Sequence, residues 1–102
     1  MRVELLYVGG CPGYEQLLPS VRALAAQAGA EVVLRSIETP EAAEAERFLG
    51  SPTVKVDGRD VDPGAASRND FGLKCRLYPA AEGGAHMPPE RWIRDAFARP
   101  RG

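Results

Sequence analysis

The sequence predicts a single α/β domain spanning residues 1–102, with elements in the order β-α-β-α-β-β-α, a four-stranded mixed sheet and a long loop before the last helix. Three observations predict it. A short apolar run, Val3 to Val8, stops at Gly9-Gly10. Apolar residues then recur at helical spacing as far as Ala28, and Asp57-Gly58 separates two short strand-like runs, a strong hairpin signal.

The elements follow in order. Val3 to Val8 is too short for a helix and ends at a breaker, which suits a buried strand. From Gln16 onward Leu17, Leu18, Val21, Leu24, Ala25 and Ala28 line one helical face, and Gly29 supplies the stop. Pro12 fits a first helical turn, where a missing N–H costs nothing, whereas Pro19 implies a kink or a late start. Glu31 to Ile37 is short and rich in β-branched residues, so it reads as a second strand. Thr39 caps a second helix with Pro40 at its first position, and Gly50 closes it. Thr53 to Val56 and Arg59 to Val61 form the hairpin strands. After Pro63-Gly64 the periodicity lapses until Pro88-Pro89-Glu90 opens a helix carrying Trp92, Ile93, Ala96 and Phe97.

Composition removes several function classes. Thirteen basic residues against 14 acidic ones leave a net charge of −1, which argues against nucleic acid or a membrane surface as an electrostatic partner. No apolar run approaches the roughly 18 residues of a membrane span. Arg2 and Glu4 interrupt the first apolar stretch, so no secretory leader is expected and the chain reads as cytoplasmic. In a reducing compartment a permanent disulfide is disfavoured. Cys11 and Cys75 are therefore free, redox-active or metal-binding.

Two motifs sharpen this. Gly10-Cys11-Pro12-Gly13-Tyr14 lies between the first strand and the first helix, and Gly50-Ser51-Pro52-Thr53-Val54 lies between the second helix and the hairpin. Here the sequence resembles the thioredoxin and glutaredoxin superfamily, in which a nucleophilic cysteine follows the first strand and a cis-proline opens the third. The resemblance implies a thioredoxin-like fold and thiol–disulfide exchange or thiol carriage. Cys11 would be the nucleophile, and Pro12, Gly13, Tyr14, Ser51, Pro52 and Thr53 would form the substrate edge. The partners would be protein thiols or a small thiol resembling glutathione. The chemistry is reasonable: a thiol attacks only as thiolate, which a helix N-terminus favours. A cis-proline would expose the Ser51 backbone for pairing with an extended ligand.

One position departs from the family pattern. The usual second cysteine is Tyr14, so a local dithiol cycle is impossible. A distant partner is required, or a monothiol mechanism, or no redox role. Cys75, in the long loop, is the candidate resolving thiol. In Leu73-Lys74-Cys75-Arg76-Leu77-Tyr78 the alternation puts Cys75 on one face with Leu73 and Leu77, which favours a core cysteine over a resolving one. Tyr14 either aims its hydroxyl at Cys11 or covers the core. Cys11 itself could be a small residue in a tight turn.

Other chemistries find little support. His86 sits in a Gly-rich loop and reads as solvated, and the Cys/His spacing matches no zinc pattern, so no metal site is expected. Gly9 to Gly13 lacks the Lys-Ser/Thr of a phosphate loop, and Leu17 stands where a cysteine phosphatase needs arginine, so no cofactor is expected either. A non-redox module binding a soft metal or an extended peptide is the alternative. The stretch Gly50 to Tyr78 is also similar to small thioredoxin-like bacterial proteins, some of them labelled organomercurial lyases. That chemistry would use two thiolates and a carboxylate, for which Asp70 is the candidate.

Overall fold

The computed structural model describes residues 1–78 and 87–99. Along them run β1 (Arg2–Tyr7), α1 (Pro12–Ala28), β2 (Glu31–Ser36), α2 (Pro40–Ala45), β3 (Thr53–Val56), β4 (Arg59–Asp60) and α3 (Glu90–Ala98), with a short 3-10 turn at Ala65–Ser67. The four strands make one mixed open sheet in the order β2-β1-β3-β4. β1 is parallel to β2, with Leu5 opposite Leu34, and antiparallel to β3, with Leu5 opposite Val54. β3 and β4 are antiparallel, with Lys55 opposite Asp60.

The internal position of β1 explains its near-continuous apolar run, because both of its faces are covered. Val3 and Leu5 join Leu17, Val21 and Leu24 of α1 and Ile93 and Ala96 of α3 on one side. Leu6 points the other way, into a second cluster with Ile37, Ala43 and Phe48 beside α2. Glu4 shares that side at only 6% exposure. Its charge is met by Arg35, 3.1 Å away, which also holds Glu46 at 2.8 Å. At the hairpin, Asp57 and Gly58 both take positive φ (49° and 85°), as a two-residue turn that follows strand twist requires.

Three elements differ from the sequence reading. α1 begins at Pro12, in the first turn where the sequence places that proline, and continues through Pro19 without the late start that Pro19 implies. Pro19 removes one internal hydrogen bond, but Leu17 and Val21 on either side are buried against the sheet and hold the helix in line. α2 stops at Ala45, well short of Gly50. Glu44-Ala45-Glu46-Arg47 offers no large apolar residue to anchor another turn, and Ala45 is exposed. Instead Arg47 takes φ 51°, the Phe48 N–H returns to the Ala43 carbonyl at 2.7 Å, and Phe48 and Leu49 sink to 0% and 1% exposure. β4 is two residues long, with one further ladder bond from the Val61 N–H to the Val54 carbonyl.

Candidate functional site

Cys11 is the N-cap of α1, with extended backbone (φ −76°, ψ 116°) and Pro12 following at the first helical position. Gly10 at φ 81° makes the turn out of β1 that places it there. The Cys11 N–H donates to the Val8 carbonyl at 3.2 Å, and the residue is 7% exposed. Gly13 is buried and Pro12 exposed in the same turn. Tyr14 stacks on Tyr7, ring centroids 3.8 Å apart and planes within 9°, and packs against the α1–α3 core. Burial and the neighbouring Tyr7 hydroxyl push its phenol above the ordinary value. Of the two readings for Tyr14, the structure favours the covering one.

The second motif meets the first through Val8. The Ser51–Pro52 peptide bond is cis. The Val8 N–H donates to Ser51 Oγ at 3.1 Å, so the residue whose carbonyl accepts from the Cys11 N–H gives its own N–H to Ser51. Ser51 and Thr53 are 1% and 0% exposed, Pro52 is fully buried, and Thr53 Oγ1 donates to the Gly50 carbonyl at 2.6 Å.

The long loop returns to this point as an ordered hook. The Ser51 N–H donates to the Lys74 carbonyl at 2.7 Å, and the Arg76 N–H donates to the Ser51 carbonyl at 2.9 Å. Ser51 and Cys75 thus form a parallel bridge. The backbone edge that the sequence reading leaves open for an extended ligand is occupied by residues 74–76 of the same chain. Further bonds hold the hook: the Gly72 N–H to the Phe48 carbonyl at 3.1 Å, and the Tyr78 hydroxyl to the Pro52 carbonyl at 2.6 Å.

Arg76 anchors it. Its side chain is 1% exposed, with Nη1 2.7 Å and Nη2 3.2 Å from the two Asp60 oxygens, Nη2 3.1 Å from Asp62 and Nη1 3.1 Å from Thr53 Oγ1. The guanidinium lies 4.7 Å from the Tyr78 ring centroid. Burial opposes its charge, but Tyr78, Asp60 and Asp62 outweigh burial and raise its pKa. Gly50 makes the approach possible: a Cβ there would lie 2.9 Å from the Arg76 Cβ, and its φ of 129° suits glycine alone.

These contacts reverse the expected polarity of the hook. From Cys75 onward the alternation holds, but Arg76 and Tyr78 face inward, while Leu73, Leu77 and Cys75 are exposed, Leu77 at 73%. The physical reason is that Asp60 and Asp62 need a buried cation and Tyr78 finds Trp92 edge-on at 6.1 Å, which together outweigh the burial of two leucines. Cys75 is therefore not a core cysteine. Both cysteines are free thiols, and both are tied to Ser51, Cys11 through Val8 and Cys75 through the bridge. The residues to which the sequence reading gives no part in the site are Asp60, Asp62, Arg76 and Tyr78, and Gly50 reads there only as a helix stop and the start of its motif. The one available signal was the Asp60-x-Asp62 spacing facing an alternating Arg76-x-Tyr78.

Other candidates resolve plainly. Asp70 is held by Arg68 at 2.7 Å and Lys74 at 2.9 Å, all exposed, and Arg68 first and Lys74 second keep its carboxyl well below the usual carboxylate range. It persists as a carboxylate and is ill suited to donate a proton. His86 lies outside the described residues. Among the described residues no group of three or more His, Cys, Asp or Glu side chains could hold a metal ion, and no helix is long and apolar enough to cross a membrane. A cavity of about 220 Å³ is lined by Arg47, Lys55, Arg59 and Phe71 among others, and by neither cysteine. Compared with known proteins, the chain matches no family model, no curated protein and no solved structure.

Proposed function

We propose that this chain is a thioredoxin-like thiol–disulfide exchange protein that works with Cys11 and Cys75 as its pair. The element order, the sheet order β2-β1-β3-β4 and the entry of the chain into β3 through Ser51-Pro52 support the fold part of that reading. One observation carries the functional part. Ser51 joins the two thiols, its hydroxyl accepting from Val8 beside Cys11 and its backbone pairing across to Cys75.

Cys11, as thiolate at the start of α1, attacks one sulfur of a disulfide RSSR, breaks its S–S bond and releases RS⁻, which takes up a proton. Cys75, also as thiolate, attacks the Cys11 sulfur, releases the second RS⁻ and closes a Cys11–Cys75 bond. RSSR gains two electrons and leaves as two RSH, and the protein dithiol loses two. In a reducing compartment such as the cytoplasm the dithiol is the resting form.

Glutathione disulfide tests this. The reading expects loss of both titratable thiols and a Cys11–Cys75 linked peptide by mass, both reversed by reductant. Closure requires the two Cα atoms to come within about 4.4–6.8 Å of each other. Two thiols that stay free at high oxidant would overturn the reading and favour a non-redox module that binds a soft metal.

A further inference from the structure

Resting on the exchange reading, we infer that the site takes small disulfides and excludes extended peptides, because the hook occupies the strand edge that a peptide would need. An extended peptide gains affinity by adding main-chain hydrogen bonds to a free edge. At Ser51 both groups are spent, the N–H on Lys74 at 2.7 Å and the carbonyl on Arg76 at 2.9 Å. Displacing the hook would also strip the Tyr78 hydroxyl from Pro52 and draw the buried Arg76 guanidinium off Asp60 and Asp62. A buried charge parted from its partners is among the costliest local changes a fold can suffer, so the edge does not open on encounter.

Access to the sulfurs agrees. Cys11 is 7% exposed, which leaves little of it open to a bulky chain. Cys75 is exposed on the outer face of the hook between Leu73 and Leu77. A small disulfide can meet these thiols without pairing to the backbone. The substrate class is therefore a low-molecular-weight thiol in its disulfide form.

The test compares two probes on the full chain: glutathione disulfide, and a mixed disulfide of glutathione with an extended cysteine peptide. Hydrogen exchange of the Ser51 and Arg76 amides is followed in parallel. The expected result is slow exchange at both amides and a rate with the small disulfide at least about tenfold above that with the peptide, the scale set by two forfeited main-chain bonds. Tyr78→Phe and Asp62→Asn, which loosen the hook without removing Arg76, should narrow that ratio. Thermal unfolding of each variant confirms that it is folded. Equal rates in the unmodified chain, or fast exchange at Ser51, would overturn the inference while leaving the exchange chemistry intact. No reaction with either probe, with both amides protected, would overturn the exchange reading and the substrate class that rests on it, while the edge would still be closed to peptides.

Discussion

Arg76 lies against Asp60 at 2.7 Å with its side chain 1% exposed, and through this pair the loop after β4 is fastened to the strand edge at Ser51. Tyr78 and Asp62 complete the surroundings of the guanidinium. The hook is thus held by a buried ion pair, not by apolar burial.

Removing the cation alone leaves Asp60 and Asp62 facing each other in a poorly solvated place. Arg76→Ala is expected to lower stability by about 3–5 kcal/mol in urea unfolding. Asp60→Asn combined with Arg76→Ala should cost less than the sum of the single changes, because the two act through one contact. Additive losses would show that the pair is not the anchor.

Gly50 offers an independent probe of the same contact. An added methyl would meet the Arg76 Cβ at 2.9 Å and would force alanine to φ 129°. Gly50→Ala should destabilise by about 1–3 kcal/mol, whereas Gly72→Ala, where a Cβ would meet nothing within 4 Å, should be close to neutral. Equal effects at the two glycines would argue against close packing of the hook.

Tyr78 sets an alkaline limit. Burial raises its phenol far above the ordinary value of about 10, so the folded state holds it neutral. A group whose pKa is raised on folding contributes fully below its unfolded value and loses that contribution as pH climbs above it. Stability should therefore fall as pH rises above about 10 and go on falling at higher pH, and fall less in Tyr78→Phe. Identical pH profiles for the two chains would contradict the assignment.

Much of the framework was legible because it rests on local chemistry. Gly9-Gly10, Asp57-Gly58 and the apolar spacing from Leu17 onward each mark an element whatever surrounds it. The run of α1 through Pro19 and the early end of α2 were not, because both are settled by packing, the first by the buried Leu17 and Val21 and the second by the turn at Arg47 that lets Phe48 be buried. At the site, both Cys11 and Ser51 were legible from their motifs. Which face of the hook turns inward was misread, because hydrophobicity alone ranks Leu73 and Leu77 above Arg76. An arginine earns a core place only when carboxylates and an aromatic ring converge on it, and Asp60, Asp62 and Tyr78 do so only once the chain has folded back.

The most direct measurement uses Cys75→Ser with glutathione disulfide, followed by peptide mapping. The account predicts a mixed disulfide trapped on Cys11, stable until reductant is added, because the thiol that would displace it is gone; the unmodified chain should pass on to the Cys11–Cys75 bond. A Cys11 that stays unmodified in Cys75→Ser, under conditions where an unfolded control reacts, would contradict it.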